Sequence, residues 1–275
     1  MYSGSTLTPW SGRLLGAHQK LDRVARRHLE VLAGTHDACF PGIRNILKFE
    51  GKNGPDGIKR KSPAQNEPWH FINPFDAADS ELYDLIAYHY NELVRALTEK
   101  NTTKAAFEAA WLSHALVDGL TPAHHYPYEA ELQKLRGGDA VGNPATVVEK
   151  VLMPGGNTKE QIKNNWKMWG PKGLMSTHGT FEIGIATIIA PLSFRKWLPL
   201  KEDIKEFDEH GVVGLFQRKV KEIAAMDLYT RYYKTGWTPS LARQVRERLA
   251  PIILNVVTLA WYGALRDAEL ARKQA

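Results

Sequence analysis

The sequence predicts an all-α protein that folds as a single multi-helix domain. Apolar residues recur at intervals of three and four in residues 16–33 and 79–97, which is the period of an amphipathic helix. Residues 104–113 are rich in Ala and contain neither Gly nor Pro, so they favour a helix on propensity alone. No internal repeat or low-complexity tract divides the 275 residues. We therefore expect one domain spanning residues 1–275.

The remaining elements are predicted from breakers and periodicity. Residues 40–76 contain five prolines and are expected to form a loop. Residues 135–165 are rich in Gly and Pro, with a short helix near 146–152, and are expected to form an insertion or mobile lid. A further helix should open at His178. The last two helices are predicted at 212–234 and 239–273, the second with a kink at Pro251.

Composition and charge set broad limits on function. The chain is 43% hydrophobic and 24% charged, as in an ordinary globular protein. A net charge of +6 and a pI near 9.2 favour anionic partners such as nucleic acid, anionic lipid or phosphate esters. Cys39 is the one cysteine, which excludes an internal disulfide. We expect no transmembrane segment, and the sequence does not specify an oligomeric state.

The first fifteen residues lack the basic start and apolar core of a secretory signal. This predicts a cytoplasmic chain. Secretion is the alternative if the N-terminus is processed or incomplete.

The motif with the clearest chemistry is His114, Asp118 and His124. His114 and Asp118 are four residues apart, so they lie one turn apart on one face of a helix. Gly119 and Pro122 then end the helix and turn the chain, which brings His124 back towards the pair. Imidazole and carboxylate together suit a borderline cation such as zinc.

This spacing resembles the zinc-dependent phospholipase C / S1-P1 nuclease family. The family motif is His, three residues, Asp, five residues, His, with Pro two places before the last His, and every offset is met here. The resemblance implies an all-α multi-helix bundle of the phospholipase C / P1 nuclease type. It also implies hydrolysis of phosphodiester bonds by metal-activated water.

Other segments resemble the family's remaining ligands in the same order. Trp69-His70-Phe71-Ile72-Asn73-Pro74 is similar to the segment that carries a ligand His, and Asp56 lies fourteen residues before His70, at the family's interval. His178 and Glu182 repeat the four-residue helical spacing. His18 is similar to a ligand at the start of the family's first helix. The candidate metal ligands are therefore His18, Asp56, His70, His114, Asp118, His124, His178 and Glu182.

The resemblance assigns these residues to zinc sites. It places one zinc on Asp56, His70, His114 and Asp118, and a second on His124, His178 and Glu182. Asp118 would also bridge to a third zinc, shared with His18. Asp56 would in addition act as the general base. His125, adjacent to His124, remains a substitute for it.

The third zinc depends on the N-terminus. In the family, the free amine and carbonyl of an N-terminal Trp complete this site, and Trp10-Ser11 resembles that terminus. Because Trp10 is acylated by Pro9 here, its nitrogen has no available lone pair. We therefore expect two tightly bound zinc ions, with the third weak or absent.

The substrate is left open by the sequence. A phospholipid requires an apolar rim, whereas a nucleic acid requires stacking aromatic rings and a basic approach, and Trp166, Lys167 and Trp169 suit either. The alternatives are therefore a phospholipase C-like enzyme, a P1-type single-strand nuclease, or an inactive metal-stabilised helical binding protein.

Overall fold

The regular structure of the protein is helical throughout the part of the chain that the structure describes. This computed structural model describes residues 1–3, 16–34, 39–61, 71–138 and 144–274, and no strand occurs among them. The all-α prediction is confirmed. The α-helices are α1 (Ala17–Ala33), α2 (Ile43–Ile46), α3 (Pro55–Lys61), α4 (Glu81–Thr98), α5 (Thr102–Gly119), α6 (Tyr128–Arg136), α7 (Val147–Val151), α8 (Thr158–Trp169), α9 (Leu174–Ile189), α10 (Lys201–Ala224), α11 (Leu228–Thr235), α12 (Pro239–Gln244) and α13 (Ala250–Gln274).

Helix α5 lies in the middle of the core. It is capped by Asn101, whose side chain accepts a hydrogen bond from the Lys104 amide at 3.1 Å. It is buried along most of its length and packs against α1, α4 and α13. Its alanines allow these neighbours to approach closely, and the buried indole of Trp261 donates to the Ala109 carbonyl at 3.1 Å. The helix that carries the central motif is thus held on several sides.

The predicted loop at residues 40–76 is in part wrong, because much of its described part is helical, while residues 62–70 lie outside the described residues. It contains α2, α3 and two 3-10 turns, Leu47–Phe49 and Gly51–Asn53. Pro55 and Asp56 occupy the first turn of α3, where a missing N–H costs nothing and a carboxylate is favoured by the helix dipole. At Pro55, a proline that predicts a loop therefore marks a helix start instead.

Two other boundaries differ from prediction. Helix α10 begins at Lys201, ahead of the predicted residue 212, and it breaks at Gly211, whose φ of 64° is outside the helical region. The chain then leaves the helix at Asp227, also with positive φ, before α11. Helix α9 begins at Leu174, so His178 lies in its second turn rather than at its start.

The disturbance expected at Pro251 takes the form of a π-helical turn. Pro251 has no N–H, and its ring crowds the carbonyl of the residue four positions earlier. The turn Val245–Leu249 precedes it and joins α12 to α13. A wider turn at this position accommodates the proline without ending the helix.

The expected lid contains a packed helical unit. Asn165 on α8 accepts from the Met153 amide at 3.1 Å and donates to the Met153 carbonyl at 2.9 Å. Met153 and Met168 are buried in a small apolar cluster with Phe71, Tyr128 and Leu132. Helices α7 and α8 therefore pack on the body of the protein. Residues 139–143 lie outside the described part.

The helical run Pro239–Gln274 is long and apolar enough, by length and composition alone, to cross a membrane. Of its most apolar 18-residue stretch, 72% is buried inside the protein. Its apolar character is accounted for by packing in the core.

Gly263 on α13 provides a test of this packing. A Cβ at this position would overlap the Phe207 ring and lie 2.9 Å from the Tyr90 hydroxyl. We expect Gly263→Ala to lower the free energy of unfolding by about 1–3 kcal/mol, measured by urea denaturation.

The matched control is Gly179→Ala, another helical glycine, whose Cβ would meet no described atom within 4 Å. Its higher helix propensity should leave stability unchanged or raise it by up to about 1 kcal/mol. Equal losses in the two variants would contradict the packing described for α13.

Candidate metal centre

The centre is built on one face of α5. His114 and Asp118 are both buried, and the His114 Nε2 lies 3.1 Å from the Asp118 Oδ2. The chain turns after α5, with the Thr121 hydroxyl donating to the Val117 carbonyl at 2.7 Å. The 3-10 turn Pro122–His125 follows at once and carries His124 back into the interior. The turn predicted from Gly119 and Pro122 is confirmed.

A first group of donor atoms consists of Asp56, His114 and Asp118. One donor atom from each lies within 4.8 Å of the others. The Asp56 Oδ1 is 3.7 Å from the His114 Nε2, and its side chain is 26% exposed, the most accessible of the three. The structure thus places three of the four residues predicted for the first zinc together. His70, the fourth, lies outside the described residues.

A second group consists of His124, His178 and Glu182, whose donor atoms also lie within 4.8 Å of one another. The Glu182 Oε1 is 2.8 Å from the His124 Nε2 and 3.2 Å from the His178 Nε2. Helix α9 carries His178 and Glu182 one turn apart, as their spacing predicted. All three residues predicted for the second zinc therefore meet.

His125 points elsewhere. Its Nε2 donates to the Gly119 carbonyl at 2.8 Å, which closes the turn after α5. Burial lowers the pKa of His125 to about 4 and keeps it neutral. Of the two adjacent histidines, His124 is the one that joins the second group.

The N-terminus of the chain lies between the two groups. The amine of Met1 contacts the Asp118 Oδ1 and lies 3.0 Å from the Glu182 Oε1. The Met1 carbonyl is 2.7 Å from the His18 Nε2, which is itself 3.0 Å from the Asp118 Oδ1. An amine, a carbonyl, an imidazole and a carboxylate therefore converge here.

The resemblance indicates Trp10 as the source of the amine at the third site, whereas in the structure the Met1 amine contacts Asp118. Trp10 lies outside the described residues. The residues between Met1 and His18 carry no pattern that predicts the first residue to lie against Asp118. In the described residues, the Met1 amine and carbonyl also lie beside His18 and Asp118, and the number of bound zinc ions stays a prediction.

Glu50 was also missed. It is buried, and it accepts from the Gly51 amide at 3.0 Å. Its Oε1 lies 3.2 Å from the His114 Nδ1, so it accepts the proton of that nitrogen and turns the Nε2 towards Asp118 and Asp56. Its donor atoms also group with His18 and His114. Nothing in the surrounding sequence predicts this role, because Glu50 belongs to no motif.

A second buried carboxylate, Asp22, lies behind the centre. It accepts a 2.5 Å hydrogen bond from the Ser113 hydroxyl, which links α1 to α5. Burial and the nearby charge of Glu50 raise the pKa of Asp22 well above its usual range. Its neighbour His18 stacks on His114 with ring centroids 4.2 Å apart. The inner face of α1 is thus fixed against the helix that carries the motif.

Neighbouring groups of opposite charge shift the pKa values of the buried groups in the centre. Burial lowers the pKa of the Met1 amine, but Asp118 and Glu182 outweigh this and raise it to about 10. Burial raises the pKa of Asp118, yet the Met1 amine and His124 hold it well below its usual range. Burial likewise lowers the pKa of His114, whereas Asp118 and Glu50 raise it well above its usual range. The buried carboxylate of Asp118 is therefore kept ionised by its cationic neighbours.

The donor set fits zinc. Around a tetrahedral zinc with bonds of about 2.1 Å, neighbouring ligand atoms are roughly 3.4 Å apart. The distances from His114 to Asp118 and Asp56, 3.1 and 3.7 Å, and those from Glu182 to its two histidines, 2.8 and 3.2 Å, lie close to that spacing. Imidazole nitrogens and carboxylate oxygens are also the ligand types that zinc accepts.

Two further histidines lie apart from the candidate metal groups of the described residues. His89 pairs with the buried Glu108 at 2.5 Å, and Lys104 lies 2.6 Å from the same carboxylate. His28 is buried on α1. Their positions are consistent with structural roles.

Comparison of the chain with models of known protein families, with curated proteins and with solved structures found no match in any of the three. The interpretation of the centre therefore rests on its geometry and on the motif spacing.

The buried Met1 amine leads to a prediction about the metal-free protein. In a chain that begins at Met1, a two-residue extension at the N-terminus replaces the amine by a neutral amide and leaves Asp118 and Glu182 without that cation. We expect the free energy of unfolding, measured in the presence of a chelator, to fall by about 3–5 kcal/mol, because the buried carboxylates have lost their cationic partner. The measurement is urea denaturation.

The control is the same extension at the C-terminus, which should leave stability unchanged. If both extended chains unfold like the original, the Met1 amine does not occupy the position described.

Proposed function

We propose that this protein is a zinc-dependent hydrolase of phosphodiester bonds, similar to the phospholipase C / P1 nuclease family. The observation that carries the proposal is the convergence of seven of the eight residues assigned by resemblance. They come from α1, α3, α5, α9 and the turn after α5, and residues as distant as His18 and Glu182 are joined through Asp118 and the Met1 amine.

The residues divide into three zinc sites. Asp56, His114 and Asp118 hold the first, with His70 added by resemblance. The second lies on His124, His178 and Glu182, and the third on His18, Asp118 and the amine and carbonyl of Met1. When bound, zinc supplies polarisation of the phosphoryl group and a hydrolytic water of lowered pKa.

Side chains around the centre orient its ligands and accept a proton during hydrolysis. Glu50 fixes the ring of His114 through its Nδ1. Phe71 stacks on His124 at 4.9 Å between centroids and shields that ring from water. Asp56, the more accessible carboxylate of the first group, is the residue that faces an incoming substrate and accepts a proton from the attacking water.

Metal analysis combined with hydrolysis of a chromogenic bis-phosphodiester tests the proposal. We expect tightly bound zinc, turnover that a chelator abolishes, and turnover that returns when zinc is restored. Zinc without turnover would indicate an inactive metal-stabilised binding protein. A purified protein that binds no zinc would contradict the proposal.

The adjacent histidines provide a matched pair of variants. We expect His124→Ala to lose about one equivalent of zinc, because the second group is left with two protein ligands. His125→Ala should retain all its zinc, although loss of the bond to the Gly119 carbonyl should cost about 1–3 kcal/mol of stability. Metal content after dialysis is the readout. Equal zinc loss in both variants would contradict the assignment of His124.

Asp56 is tested by Asp56→Asn, which keeps an oxygen ligand but removes a base. We expect kcat to fall by about 10²–10⁴-fold with zinc content close to that of the unaltered protein. A variant that retains full kcat would show that another group accepts the proton.

A further inference from the structure

An exposed apolar surface lies on the packed unit formed by α7 and α8. On α8, Ile162, Trp166 and Trp169 are spaced by four and three residues, so they form one stripe. Their exposed fractions are 66%, 68% and 43%. Contiguous exposed apolar side chains of this size are unusual unless something binds them.

Helix α7 extends this surface. The Trp169 indole donates to the Val151 carbonyl at 2.9 Å, which joins the two helices. Val147, Val148, Val151 and Leu152 are also exposed, with Val148 at 65%. We call the exposed apolar residues of α7, Leu152 and α8 the α7–α8 surface.

A row of lysines borders the α7–α8 surface. Lys159, Lys163 and Lys167 are exposed, and they recur every four residues beside the Ile162 and Trp166 stripe. Lys172 follows just after α8. The only acidic residues between 144 and 175 are Glu149 and Glu160, and there is no Arg. The edge is therefore positively charged.

We propose that the α7–α8 surface docks on a phospholipid bilayer that contains anionic lipid. Tryptophan and aliphatic side chains enter the interfacial region, while lysines extend along it to the headgroups. Protein interfaces are instead enriched in Arg and depleted in Lys. Single-stranded nucleic acid requires rings on which bases stack, a role that exposed Val, Ile and Leu cannot fill.

The position of this surface connects it to the metal centre. The cluster beneath α8 contains Phe71 and Tyr128, whose rings stack at 5.2 Å, and Phe71 stacks on His124 in turn. The Tyr128 hydroxyl lies 3.2 Å from the sulfur of Met175, at the start of α9. Docking would therefore bring lipid headgroups close to the second group. That a phospholipid is the substrate rests on the proposed function, whereas docking itself does not.

Vesicle sedimentation tests the docking. We expect binding to vesicles of phosphatidylcholine with phosphatidylserine, and weaker binding to phosphatidylcholine alone or at high salt. The variant Ile162→Ser, Trp166→Ala should bind at least about tenfold more weakly. Lys159→Ala, Lys163→Ala, Lys167→Ala together should lose about a hundredfold in affinity for the anionic vesicles.

The matched control is Tyr88→Ala, which removes a 55% exposed aromatic side chain from α4 and should bind as the unaltered protein does. Unchanged melting temperatures would show that all variants are folded. Vesicle binding that survives both surface variants, or that Tyr88→Ala weakens equally, would overturn the proposal. So would binding of an oligothymidylate, instead of vesicles, that depends on Trp166 and the lysines.

The experiments distinguish a failure of the docking proposal from a failure of the proposed function. Vesicle binding should persist after zinc is removed by a chelator. The single variant Ile162→Ser, which changes a docking residue but none of the candidate substrate contacts, should still hydrolyse a soluble chromogenic phosphodiester. Vesicle binding without such hydrolysis would support docking and count against the enzyme. Hydrolysis without vesicle binding would overturn docking alone.

Discussion

The fold depends on charge compensation at the buried carboxylate of Asp118. An ionised carboxylate in a protein interior is costly unless cations or hydrogen-bond donors surround it. Here Asp118 is 1% exposed and meets the Met1 amine, His18 and His114. The N-terminus, α1 and α5 must therefore come together at this point.

The same requirement extends to α9 and the turn after α5. Glu182 carries a second buried charge, placed against the Met1 amine, His124 and His178. Carboxylate and imidazole groups bind metal ions in their deprotonated forms. A cluster of such groups can therefore be compensated by a bound metal ion instead of by protons. We propose that zinc, when bound, would compensate the charges of Asp118 and Glu182 in place of the Met1 amine and the protonated histidines.

The features predictable from sequence are those encoded by short spacing. The intervals from His114 to Asp118 and from His178 to Glu182 place each pair on one helix face. In the structure, the two members of each pair contact each other. The apolar stripes located α1 and α4 to within two residues. These patterns depend only on residues close in sequence, so they predict local structure without knowledge of the tertiary fold.

Contacts between distant segments could not be predicted in this way. Glu50 has no motif, and its role depends on where two 3-10 turns place it beside His114. Met1 reaches Asp118 across 117 positions. The prolines of residues 40–76 predicted a loop because a proline at the start of a helix and one within a loop look alike in sequence.

In the two proposals, the α7–α8 surface would dock on lipid and the candidate metal centre would bind zinc, so neighbouring parts of the molecule would have separate roles. The centre is buried and rigidly packed, as the positioning of ligands requires. The surface is exposed and adjoins it through Phe71 and Tyr128. Substitutions on α8 would thus change the proposed lipid docking without changing the candidate metal ligands.

Anomalous diffraction at the zinc edge, from crystals of the protein grown with zinc, would show directly which of these side chains bind metal. We expect peaks at about 2.0–2.3 Å from the donor atoms of Asp56, His114 and Asp118, and from those of His124, His178 and Glu182. Crystals with no peak at these residues, or with zinc only on surface side chains, would contradict the proposed zinc sites.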